Sequence, residues 1–205
     1  DLRVVLLGLG FIGDAFKKNW GTLYPGLHLA PYADCYRCPF RMTYPECGLF
    51  CLEFVRKILE NNTAGSLAAI IVEPMQGTAG NVIPPPEFVP GLLQIAREND
   101  ALLIADEMIT GFRLALGGAQ QYFGVTPDLA CFGKAIANGY PLSAVVGKRE
   151  IMSLFDEVFF SFTFGGEALS LAAARATILE IRRRNVIGHL WEQGRKLQDG
   201  FNVLA

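Results

Sequence analysis

Apolar and polar positions alternate in blocks along most of this 205-residue chain. Leu67 to Val72 is an unbroken apolar run, fit for a strand buried on both faces. Ala101 to Ala105, Leu129 to Phe132 and Ser143 to Val146 read as three further strands. Between them lie segments with helical spacing. Leu49 to Leu59 carries apolar residues at Leu49, Leu52, Val55, Ile58 and Leu59, and stops at Asn61-Asn62. Glu87 to Asn99 follows a loop at Pro84-Pro85-Pro86, Gly166 to Arg184 is long and alanine-rich, and Val186 to Phe201 reads as a last helix. Strands alternating with helices predict an α/β fold with a mostly parallel sheet flanked by helices. The start of the chain differs. After a short strand at Val4 to Leu7, Gly21, Pro25, Pro31, Pro39 and Pro45 interrupt any long element. The expected organisation is an irregular segment over 1–47 and an α/β core over 48–205.

Composition narrows the function classes. Hydrophobic residues make up 51% of the chain, enough for a sizeable core with apolar surface left for a partner subunit. A net charge of −2 argues against a nucleic-acid binder, which needs a basic stripe. The densest basic run, Arg182-Arg183-Arg184, falls late in a helix and reads as a solvated helix end. No apolar run approaches the roughly 20 residues of a membrane span. Val4 to Ile12 is short and glycine-punctuated, with no small-residue cleavage site after it. Five cysteines, an odd number, fit a reduced cytoplasmic setting. The first residue is Asp1, which fits a processed or partial product.

Two polar groups stand where a site would form. Asp106 follows the strand Leu102-Leu103-Ile104-Ala105, with Glu107 after it, and Lys134 follows Leu129-Ala130-Cys131-Phe132-Gly133. Ligands of open α/β sheets bind beyond the carboxyl ends of the strands. A structural ion pair is the plain alternative. The chemistry of the two groups suits pyridoxal phosphate (PLP), which needs an amine to form an imine and a carboxylate to keep its ring nitrogen protonated.

Several ordered motifs resemble class III aminotransferases. Asp106-Glu107-Met108-Ile109-Thr110-Gly111-Phe112-Arg113 is similar to the family's D-E-x-x-T-G-F-R segment, and Gly117 to Leu129 to the stretch that follows it. Gly133-Lys134-Ala135-Ile136-Ala137-Asn138-Gly139-Tyr140-Pro141 resembles the lysine motif, with Lys134 28 positions after Asp106 as in the family. Upstream, Glu73-Pro74-Met75-Gln76-Gly77 resembles the E-P-x-x-G turn; downstream, Thr163-Phe164-Gly165-Gly166-Glu167 resembles a phosphate-contacting segment. The likeness runs from about Lys17 to the C-terminus and implies a partial large domain of a fold type I PLP-dependent transferase. Lys134 would then hold PLP through a Schiff base, Asp106 would bind the ring nitrogen, Met108 would pack on the ring, and Thr163 would reach the phosphate of PLP in a neighbouring subunit. The implied partners are a small-molecule amino donor, a carbonyl acceptor and a second copy of the chain. The helix entry after Gly165-Gly166 gives Thr163 a local rationale as well.

Departures from the family pattern shade this reading. Ile109 stands where many members carry Gln, which leans toward the glutamate-1-semialdehyde aminomutase-like branch. Thr78 stands where ω-aminotransferases commonly carry Glu. An S-G-x-E-A-type phosphate loop, the family's aromatic-His-Gly segment and its C-terminal small domain are not found in the chain. An aminomutase, or an inactive fragment, is therefore the alternative to an aminotransferase.

Other signals are weaker. Gly8-Leu9-Gly10-Phe11-Ile12-Gly13 matches a dinucleotide fingerprint, with Asp34 at about the place for a ribose-binding acid. Gly21 and the prolines break the helix that should follow, and no second strand is expected before Asp34. Cys35, Cys38, Cys47 and Cys51 could ligate zinc, but their spacing is tight for a closed tetrahedral site; packing or incidental thiols are the favoured reading, and no metal is expected. Cys131 reads as core, and His28, in a proline-flanked loop, and His189 as structural. Glu73 ends a buried strand and either shapes the site or holds its own turn.

Overall fold

The computed structural model describes residues 4–8, 26–63, 66–158 and 163–205. Six strands form one sheet: β1 (Val4–Gly8), β2 (Leu27–Ala30), β3 (Leu67–Val72), β4 (Leu102–Asp106), β5 (Leu129–Phe132) and β6 (Ala144–Gly147). Their order across the sheet is β2-β1-β3-β4-β5-β6. All neighbours are parallel except β5 and β6, which are antiparallel. Parallel neighbours require crossovers, and helices α1 (Phe50–Asn62) and α2 (Phe88–Glu98) lie in those that lead to β3 and β4. Short α3 (Gly118–Tyr122) and α4 (Arg149–Met152) follow, and the chain ends in α5 (Ala168–Arg183) and α6 (Val186–Leu204).

The expected α/β architecture is present, and each anticipated long element is found within a few residues of its expected ends. Two differences matter. β2 runs through Leu27–Ala30, inside the segment read as irregular, and pairs in register with β1. The sheet therefore reaches back past residue 48, and His28 lies in a strand and not a loop. The other is β6, whose antiparallel direction an apolar run cannot reveal.

The larger part of the core packs β3 and β4 against α1 and α2. Ile70, Val72 and Leu103 meet Val55, Ile58, Val89, Leu92 and Ile95 there. A smaller cluster joins Ala105, Ala130 and Phe132 to Ile136, Ala137 and Ala174. It fastens the carboxyl ends of β4 and β5 to the 3₁₀ turn Lys134–Ala137 and to α5. That fastening positions the turn that carries Lys134.

Candidate active site

Buried parallel strands end where their backbones can no longer pair, and the next side chains gather along one edge of the sheet. Asp106 is the last residue of β4, in register with Cys131 of β5. Three residues after Cys131, Lys134 opens the 3₁₀ turn with φ 48°, a left-handed conformation that costs a non-glycine residue about 1–2 kcal/mol. Such strain persists only where surrounding packing fixes it. Here Ile136 and Ala137, both buried, anchor the turn, while Lys134 itself is exposed.

Two close approaches shape the floor. The Met108 side chain lies against Gly133, where a Cβ would overlap its terminal methyl. Ile109 lies in the same way against Gly77. The backbone N–H of Met108 donates to the Asp106 carboxylate at 3.0 Å, which ties Met108 to Asp106. Asp106, Met108 and Gly133, the residue before Lys134, are thus brought together.

Glu73 follows β3 on the same edge. Its carboxylate accepts from the Gly77 N–H at 3.1 Å, so it holds its own turn. Burial pushes the Glu73 carboxyl above its ordinary value; the Gly77 N–H opposes this, the Asp106 charge adds to it and Lys134 reduces it. The same charges identify Asp106 and Lys134 as its electrostatic neighbours. Tyr32, which sequence reasoning passed over, donates its hydroxyl to the carbonyls of Glu73 and Pro74 at 3.1 and 3.0 Å. Burial above all, then the Glu73 charge, pushes this hydroxyl far above its ordinary value, so it stays a neutral donor.

Thr163 is exposed and lines an open recess with Pro141, Leu142, Ser143, Phe164 and Gly165. No described contact joins it to Asp106 or Lys134. The helix-entry rationale for Thr163 fails on geometry. The first N–H groups of α5, on Leu169 and Ser170, donate to the Glu167 carboxylate at 2.6 and 2.7 Å, so that helix end already holds its anion.

Two buried carboxylates, Glu107 beside the site and Asp128 at the far end of the sheet, are structural. Glu107, with no solvent exposure, accepts from the Thr110 hydroxyl and from the N–H groups of Ala119 and Gln120. Asp128 accepts both arms of Arg97, the Lys148 ammonium and the Leu103 N–H. Burial raises its carboxyl, but these donors overcome that and hold it down at about 2. Lys148 is thereby committed to an ion pair.

Beyond Gly8, the glycine-rich run through Gly13 lies outside the described residues. A second strand does precede Asp34, contrary to expectation, but the Asp34 carboxylate accepts from the N–H groups of Tyr36 and Arg37 and so closes a local turn. Cys35, Cys38, Cys47 and Cys51 line one small pocket, and their thiols are free. Among the described residues, no group of three or more His, Cys, Asp and Glu side chains is placed to hold a metal ion. Cys131 is half-buried; burial, then the Asp106 charge, raises its thiol.

Comparison with known proteins points in one direction. The family model described as Aminotransferase class-III matches residues 5–205. A glutamate-1-semialdehyde 2,1-aminomutase of Roseiflexus castenholzii is 43% identical over 198 residues, which covers 95% of this chain and 45% of that protein. A leucine/methionine racemase of Thermococcus litoralis is 37% identical over 163 residues, covering 78% of this chain and 37% of the racemase. The chain therefore spans less than half the length of these curated relatives. Among solved structures, an amine transaminase from an uncultivated Pseudomonas species, in a PLP-bound form, superposes with a TM-score of 0.86 at 27% identity, covering 95% of this chain and 49% of that one.

Proposed function

We propose, from the premise that this chain belongs to the class III aminotransferase family, that it is part of the large, cofactor-bearing domain of a PLP-dependent enzyme that moves an amino group between an amino compound and a carbonyl acceptor. The observation that carries the reading is the placement of Asp106 and Lys134 at the ends of adjacent strands, with Met108 bonded to Asp106 and packed against Gly133, the residue before Lys134. These residues fit the group. An amine and a carboxylate follow neighbouring strand ends, and Gly77 and Gly133 let the Ile109 and Met108 side chains approach closely. Thr163 lines a recess with Leu142 and Ser143, and no described contact joins it to Asp106 or Lys134.

PLP supplies an aldehyde that links to amines and a ring that accepts the electron pair released when a bond at the substrate carbon breaks. Lys134 would hold it and, once displaced by the substrate amine, would carry a proton to and from the reacting carbon. Asp106 would keep the ring nitrogen protonated, as a fixed charge held by the Met108 N–H. Met108 would cover the ring and exclude water. Thr163 would serve the phosphate of a partner copy's cofactor, in a homodimer. Five free thiols support a reducing, cytoplasmic setting for the enzyme.

An aminomutase, which moves the amino group within one molecule, is the second reading. Ile109 favours it, an apolar side chain packed over Gly77 in place of a hydrogen-bonding amide. It uses the same residues, and assays with one substrate or with donor and acceptor together separate the two.

The test of the cofactor assignment is borohydride reduction of PLP-loaded protein followed by peptide mapping. The label is expected on Lys134. A label on Lys148 or any other lysine would overturn the assignment, and absence of a protein-retained imine absorbance band after removal of free PLP would favour an inactive fragment.

A further inference from the structure

Glu73 carries more design than a turn needs. The register pairs Val72 of β3 with Ala105 of β4, so Glu73 and Asp106 stand side by side as the next residues of two parallel strands. Lys134 follows the next strand along. Both ends of Glu73 are held. Tyr32 fixes its carbonyl at 3.1 Å, and the Gly77 N–H fixes its carboxylate at 3.1 Å. Gly77 in turn is pressed by Ile109, which follows Asp106 by three residues. The titratable groups that act on this carboxylate are Asp106 and Lys134, with the neutral Tyr32 hydroxyl beside its backbone.

We propose that Glu73 is a positioning residue that acts through Asp106, keeping its proton while Asp106 is unpaired and releasing it when the protonated ring nitrogen of PLP settles on Asp106. This rests on the cofactor reading above. The only bond broken is the Glu73 O–H, and the proton goes to solvent. Two like charges on neighbouring strand ends oppose each other, and a cation placed on one relieves the other. Burial and the Asp106 charge raise the Glu73 carboxyl, which is the direction the inference requires. By linkage, PLP then binds more tightly as pH rises through the Glu73 titration.

Two measurements test this. In cofactor-free protein, carboxyl carbon NMR follows the Glu73 titration, with the signal assigned by its loss in Glu73→Gln. The midpoint is expected to fall in Asp106→Asn, which removes the opposing charge. Separately, PLP affinity is measured against pH for the wild type and Glu73→Gln. The amide oxygen of Gln can still accept from Gly77, so the turn is retained. Wild-type affinity is expected to gain up to about tenfold per pH unit relative to the variant across the Glu73 titration. An unmoved Glu73 midpoint in Asp106→Asn, or identical pH slopes in the two proteins, overturns the inference and leaves the cofactor reading standing. Wild-type protein that binds no PLP at any pH overturns both.

Discussion

Asp128 shows how a residue inside a recognisable motif can be structural. It lies just before β5 and is 1% exposed, yet four donors converge on it from α2, β4 and the Lys148 turn. It therefore pins the end of the sheet remote from Asp106. Its carboxyl is held at about 2, below the ordinary value of 3.8. A lowered acid contributes stability that is present above its unfolded value and is lost as pH falls through the folded one. Asp128→Ala is expected to cost about 3 kcal/mol at neutral pH, because Arg97 and Lys148 lose their shared partner. The gap from wild type should narrow as pH falls from about 4 toward 2, measured by urea unfolding. A gap that stays constant with pH would show that packing and not charge is what Asp128 supplies. Nothing in the sequence separates Asp128 from a surface aspartate. The motif quoted around it was legible, but its role depends on donors 31 residues upstream and 20 downstream. Asp106 was legible for the opposite reason. Its apolar run and its place at a strand end are both local features.

At the scale of elements, continuous apolar runs gave β3, β4 and β5, because a strand buried on both faces leaves little choice of residue. β2 escaped notice because four residues between Pro25 and Pro31 are too few to show a period. α3 was hidden by Gly117-Gly118, and its start is held by a carboxylate 12 residues earlier, Glu107. The site depends on close contacts between elements that sequence spacing also conceals. Gly133→Ala pushes its new methyl into the end of the flexible Met108 side chain, which can swing aside. Gly147→Ala pushes one into the backbone carbonyl of Asp128, which cannot. Gly147→Ala is thus expected to cost about 1–3 kcal/mol of stability. Gly133→Ala should cost less than about 1 kcal/mol but weaken PLP binding roughly tenfold, by moving Met108 off its seat. In a Met108→Ala background the added methyl meets only the Leu142 carbonyl at 3.8 Å, an ordinary contact, and Gly133→Ala should then leave affinity nearly unchanged. Equal losses of affinity in both backgrounds would remove Met108 from the cofactor site.

The whole molecule leaves much apolar surface uncovered. α6 has no buried residue, and Leu197, Phe201 and Leu204 are 76%, 68% and 88% exposed. Phe164, next to Thr163, is 74% exposed. Apolar area on this scale marks surface that other protein covers. Thr163 lines an open recess, and no described contact joins it to Asp106 or Lys134, so its proposed role is at a second copy's site. A symmetric dimer would then build each site from Lys134 of one subunit and Thr163 of the other. Mixing Lys134→Ala with Thr163→Ala subunits tests this directly. With shared sites, one site of each heterodimer carries both lesions and the other carries neither. Neither parent alone should turn over, and random reassembly should restore about a quarter of wild-type activity, since half the dimers are mixed and half their sites intact. PLP affinity should recover in the same fraction of sites, because a ligand that needs both subunits couples its binding to dimerisation. Sites built within single subunits would give no recovery on mixing, and a monomer that binds PLP tightly would exclude the arrangement altogether.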